Sequence, residues 1–96
     1  MSWTFLTNHG QVLLCIARSP DMRMRDIASS VGITERAAQR IVSDLVEAGY
    51  VTRRKVGRRN EYTVNPAARM RHPLSGDRDV GELLGVLAEP VRRARP

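Results

Sequence analysis

The sequence predicts a mainly α-helical domain with one small β-hairpin, ordered as helix, helix, sharp turn, helix, hairpin, followed by a C-terminal amphipathic helix. Three observations carry this expectation. Apolar residues recur at helical spacing in three early segments, Gly32 stands between the second and the third, and two β-prone runs flank a loop containing Gly57. Ninety-six residues suffice for one small unit, and 42% hydrophobic with 27% charged residues is an ordinary globular composition.

Residues 3–18 are expected to form the first helix, with Leu6, Val12, Leu13, Cys15 and Ile16 on its apolar side and Thr7 or Asn8 as its cap. Pro20 ends it by pushing Ser19 out of helical geometry. Met22 and Met24 alternate with Arg23 and Arg25, the pattern of a short extended piece. A second helix then runs over 25–31, with Ile27, Ala28 and Val31 facing inward and Gly32 as its stop. Thr34 caps the third helix, 34–48, and Glu35 suits the positive end of its dipole. Ala37, Ala38, Ile41, Leu45 and Ala48 share one face of that helix; Arg36, Gln39, Arg40, Ser43 and Glu47 occupy the other. Gly49 closes it. Strands are expected over 50–56 and 61–64, joined by a loop over 57–60, with Val51, Tyr62 and Val64 inward.

Helix, turn, helix and Arg-rich hairpin in this order make a winged helix-turn-helix, assigned to residues 1–66. Residues 67–78 read as a connector between Pro66 and the last helix. That helix, 79–89, repeats Val80, Leu83, Leu84 and Leu87 at i, i+3, i+4 and i+7, and a basic tail follows over 90–96.

Charge narrows the function. Sixteen basic residues against ten acidic ones give a formal net charge of +6, and fifteen of the sixteen are Arg, the side chain best fitted to phosphates and base edges. A polyanion is the expected partner; an enzyme with a deep pocket is not expected at this length. The longest strictly apolar run, Val12–Ala17, is six residues, well short of the ~20 that span a bilayer. The absence of Lys or Arg before that run argues against a secretory signal, and the single Cys15 suits a reducing cytoplasm. Cys15, His9 and His72 form no metal-ligand spacing, and no nucleophile–base pair or Gly-rich phosphate loop occurs. No metal, cofactor or catalytic residue is therefore expected.

The segment RDIASSVGITERAAQRIVSDLVEAGYVTRRKVGRRNEYTVN resembles the DNA-binding core of the MarR/ArsR-type bacterial regulators. Ala28 matches the small residue packing the two helices, Gly32 the turn, and Ala38, Ile41 and Leu45 the apolar ladder of the third helix. LVEAGYVTRR resembles the family's exit into the wing, and GRRNEYTV its wing tip and return strand. The resemblance implies a cytoplasmic, nucleoid-associated transcription regulator binding duplex DNA.

Physical chemistry supplies roles for the residues. The major groove admits one helix, so Arg36 and Arg40 can read guanine and Gln39 adenine. Ser43 and Thr34 add contacts, while Glu35 accepts from cytosine or merely stabilises the helix start. Arg53, Arg54, Lys55, Arg58, Arg59 and Asn60 place the wing on the backbone or in the minor groove. Arg23 and Arg25 add backbone contacts. A homodimer on an inverted repeat is expected, paired through Val80, Leu83, Leu84 and Leu87, with Trp3, Phe5 and Leu6 contributing. Folding of the terminal helix back onto the first helix is the alternative. Two other functions stay open, a winged-helix protein-interaction module and a non-specific architectural DNA binder. No polar cluster marks a small-molecule effector site, so an effector is left unknown.

Overall fold

The computed structural model describes residues 3–88. Its elements are α1 (Asn8–Arg18), α2 (Met24–Val31), α3 (Glu35–Glu47), β1 (Val51–Val56), β2 (Arg59–Val64) and α4 (Val80–Ala88). The architecture is mainly helical with one two-stranded antiparallel sheet, that of a winged helix-turn-helix. The expected end of the last helix at residue 89 and the tail 90–96 lie outside the described residues.

Local chemistry sets each boundary. α1 starts at Asn8, five residues later than expected, because Thr7 is extended and its hydroxyl accepts from the Gly10 N–H at 3.1 Å. Trp3 and Phe5 therefore precede the helix, stacked edge to face with centroids 4.9 Å apart. Arg23 is the last extended residue before α2. At Gly32, φ is +86° and the N–H bonds Ala28 O at 2.8 Å, closing α2 in a left-handed conformation that a side chain would strain. Thr34 caps α3, its Oγ1 accepting from Ala37 N at 3.1 Å.

The three helices pack on one another around Val12, Leu13, Ile16, Ile27, Ala28, Ala38, Ile41, Val42 and Leu45, all buried. Each large apolar side chain removed from water contributes about 1.5–3 kcal/mol. The inward ladder of α3 is Ala38, Ile41, Val42 and Leu45; Ala37 is half-buried and Ala48, expected inward, is exposed at the C-cap. Val42 takes that place because it completes the i, i+3, i+4, i+7 pattern from Ala38. Cys15, expected among the apolar positions of the first helix, is half-buried at the edge of the core.

The hairpin loop is shorter than expected. Val56 pairs with Arg59, leaving only Gly57 and Arg58 in the turn, with Gly57 at φ +64°. This is the glycine-first pattern of a two-residue type II′ turn, whose twist matches paired strands. Arg59 and Asn60 thus belong to β2 and not to the loop. Tyr50 and Val51 bury the base of the hairpin with Tyr62, and Val64 is half-buried.

Residues 67–78 are not an open tether. Met70 N bonds Arg78 O at 3.0 Å, Val80 N bonds Ala68 O at 2.9 Å, and Tyr50 Oη donates to Arg69 O. The loop so closed delivers α4 onto α1. Val80 and Leu84 lie in the core of their own chain, 5% and 6% exposed, so they cannot also face a partner. This corrects their assignment to a dimer surface: the folded-back packing uses them. Leu83 and Leu87 are half-buried.

Candidate nucleic-acid interface

Burial of one face of α3 fixes the direction of the other. With Ala38, Ile41, Val42 and Leu45 held in the core, Arg36, Gln39, Arg40 and Ser43 form a solvent-exposed stripe at i, i+3, i+4 and i+7. Thr34 and Glu35 stand exposed at its N-terminal end. Arg23 and Arg25 are exposed at the start of α2. At the far end of α3, Asp44 meets His9 of α1, Oδ2 to Nε2 at 2.9 Å, tying the helix to its neighbour.

The register divides the wing cations between two faces. Arg53 stands opposite Tyr62 and Lys55 opposite Asn60, on the face that carries Val51; Arg54 stands opposite Glu61 and Val56 opposite Arg59, on the other. No cation is paired directly across from another, so the register relieves the self-repulsion that such dense charge invites. Arg54 reaches Glu61 at 3.4 Å, an exposed contact worth little. Arg58 occupies the turn. Arg59 is not free at the tip: its guanidinium donates to Asp21 O at 2.7 Å.

Among the described residues, Arg23, Arg25, Arg36, Arg40, Arg53, Lys55, Arg58 and Arg59 enter no ion pair. They are therefore not tied to a carboxylate within the fold, and the chain's formal net charge of +6 favours a polyanionic partner. The fold thus presents an exposed stripe of Arg and Gln on a helix packed along its length, next in the chain to an exposed basic hairpin.

The model of the MarR family matches residues 4–59, from the segment before α1 to the first residue of β2. The chain belongs to the MarR family. No curated protein is significantly similar to the chain. As a member of the MarR family it is a DNA-binding transcription regulator of the winged-helix type. Of the expected MarR/ArsR-type resemblance, the match bears out the MarR part.

A groove of about 1060 Å³ opens on the MarR-family chain between the start of α1, the C-terminal half of α3, the connector and α4. Leu13, Leu45, Met70 and Leu83 give it apolar walls, and His9, Asp44 and His72 bring polar groups to it. Sequence reasoning missed this grouping because His9, Asp44 and His72 come from three separate segments, and no spacing links them. His72 accepts from Leu74 N at 3.0 Å through Nδ1, which leaves its Nε2 as the protonated nitrogen of the neutral ring. None of the candidate DNA contacts lines this groove.

Two further features bear on chemistry. Burial raises the Cys15 thiol above its ordinary pKa, with Arg18 pulling the other way. Among the described residues no group of three His, Cys, Asp or Glu side chains is placed to hold a metal ion, and no helix is long and apolar enough to cross a membrane.

Proposed function

We propose that this MarR-family chain is a sequence-specific transcription regulator that binds an inverted repeat as a homodimer in the bacterial cytoplasm, on the nucleoid. The stripe Arg36, Gln39, Arg40, Ser43 is the observation that carries the proposal: it is exposed, backed by a buried ladder, and its cations are unpaired among the described residues. Two guanidinium forks flanking an amide suit the acceptor-rich edge of guanine and the mixed edge of adenine in the major groove. Glu35 and Thr34 lie at the helix end nearest the duplex. The wing, through Arg53, Lys55 and Arg58, meets the flanking backbone or minor groove, and Arg23 and Arg25 meet the phosphates beside α2.

Dimerisation then falls to apolar groups the fold leaves outside. Phe5 is 92% and Trp3 74% exposed, with their rings 4.9 Å apart; Val86 on α4 is 77% exposed, and Leu6, Leu83 and Leu87 are half-buried. Exposed apolar side chains near one another favour a protein partner. The Trp3→Ser, Phe5→Ser double variant removes two surface rings without opening the core. Light scattering is expected to show a dimer for the wild type and a monomer for the variant; a monomeric wild type overturns the pairing.

Selection of duplexes from a random pool at a stated salt concentration tests the function. A palindromic consensus supports it. Retention without any enriched sequence indicates architectural binding, and no retained DNA indicates a protein-interaction module.

A further inference from the structure

We propose that Arg59 is a positioning residue of the wing and not one of its DNA contacts: it props the hairpin against the α1–α2 turn and so sets the wing's angle over the duplex. This rests on the wing's place in the proposed DNA complex. Arg59 lies 38 residues from Asp21 in sequence, yet its Nη2 donates to the Asp21 carbonyl at 2.7 Å. Beside it, the Tyr62 N–H donates to Pro20 O at 3.2 Å. The two bonds join β2 to consecutive residues of the same turn.

The mechanics follow from where the wing is otherwise held. Val51 and Tyr62 are buried at its base, whereas residues 52–60 are exposed throughout. A two-stranded hairpin is only marginally stable by itself, so contacts beyond its base decide how firmly its outer half is held. Arg59 stands three residues beyond Tyr62 along β2, ~10 Å further toward the tip at ~3.3 Å per residue. Among the described residues, the other side-chain hydrogen bond of the wing beyond its base, Arg54 to Glu61, stays inside the hairpin. The Arg59 bond therefore acts with the longest lever arm, where one contact restrains the angle most.

The chemistry of the bond agrees. Its acceptor is a neutral carbonyl, which orients the guanidinium without cancelling its charge. A planar fork loses less side-chain entropy per hydrogen bond than a flexible ammonium does, so Arg suits a strut better than Lys. Arg58, by contrast, sits in the turn with no hydrogen bond among the described residues and is left to meet a phosphate.

Hydrogen exchange of the Tyr62 amide in the DNA-free protein, with salt-dependent DNA binding, tests the division. In Arg59→Ala the Tyr62 amide is expected to exchange about fivefold faster, with weaker DNA binding and a wild-type salt slope. In Arg58→Ala exchange is expected to match the wild type, while the slope of log K against log salt falls by about 0.9. An unchanged Tyr62 exchange rate in Arg59→Ala overturns the proposal, and so does a salt slope lowered by about 0.9 in that variant. Arg58→Ala without effect on DNA binding counts against the wing as a DNA contact, and the exchange measurement, which uses no DNA, separates that failure from failure of the strut.

Discussion

The third helix and the wing both carry unpaired cations, but the fold holds them in opposite ways. α3 is capped at Thr34, anchored along its length by Ala38, Ile41, Val42 and Leu45, and tied at its far end by Asp44 to His9. The wing is buried only at its base, and among the described residues the side-chain hydrogen bond that ties it to another part of the fold beyond that base is the one from Arg59. In the proposed DNA complex the difference matches two tasks. Reading a base edge requires donors fixed to fractions of an ångström, which a packed helix provides. A phosphate backbone presents the same charge at every step, so a lightly held hairpin can follow it.

The largest expected effect tests the contrast in anchoring. Ile41→Ala, which empties part of the core beneath the reading stripe, is expected to cost about 2–5 kcal/mol in urea unfolding. Val56→Ala, 44% exposed on the wing, is expected to change stability by less than about 0.5 kcal/mol. Comparable losses from the two would mean that the wing belongs to the cooperative core after all.

The next effect concerns the two kinds of contact. Arg36→Ala or Arg40→Ala is expected to cost about 1–3 kcal/mol at one position of the operator and to relax the base preference there. Arg58→Ala is expected to weaken every sequence alike. Binding titrations against the operator, single-base variants and random DNA measure both. Equal losses on operator and random DNA from all three variants would erase the division between reading and gripping.

The same contrast decides what is legible in the sequence. Helical periodicity is a local signal, so residue spacing alone assigns Ala38, Ile41 and Leu45 inward and Arg36, Gln39 and Arg40 outward. The wing's register is not local. The run GRRN suggests a four-residue loop, whereas pairing of Val56 with Arg59 closes it in two and moves Arg59 from the tip to a strand. The bond of Arg59 to Asp21 crosses from one supersecondary unit to another, and no sequence pattern announces it. Burial of Val80 and Leu84 is legible as an apolar stripe, but a stripe does not say which surface covers it. That choice is made by backbone hydrogen bonds in the connector, whose sequence has no periodicity. Likewise the grouping of His9, Asp44 and His72 depends on tertiary placement alone.

A smaller effect sharpens the account of α3. Thr34→Ala removes the acceptor that satisfies Ala37 N and is expected to cost about 1 kcal/mol of stability. Thr34→Ser keeps the oxygen and is expected to retain most of it. Thermal or urea unfolding of both variants checks this, and equal losses would mean that the Thr34 methyl, and not the cap, supplies the stability.

The smallest effect lies on α1, which carries none of the proposed DNA contacts and packs against α3. Cys15 is half-buried against the core, and desolvation raises its thiol pKa, with Arg18 partly opposing. The folded chain therefore holds the thiol proton to higher pH than the unfolded chain does. Below the ordinary thiol range both states are protonated and the group contributes no pH dependence. As pH rises through that range the unfolded state ionises first, so the contribution of Cys15 to stability declines until the folded thiol also ionises. Cys15→Ala removes this decline, and the stability difference between wild type and variant is expected to shrink from pH 7 to pH 10 in parallel urea titrations. A difference that stays constant or grows would show that burial does not govern the thiol. The raised pKa also keeps thiolate scarce near neutrality, so slow reaction with peroxide and no peroxide-dependent release of DNA are expected. Release by peroxide from the wild type, absent in Cys15→Ser, would instead make this position on α1 a redox-responsive site that reaches the DNA-facing helix through the α1–α3 packing.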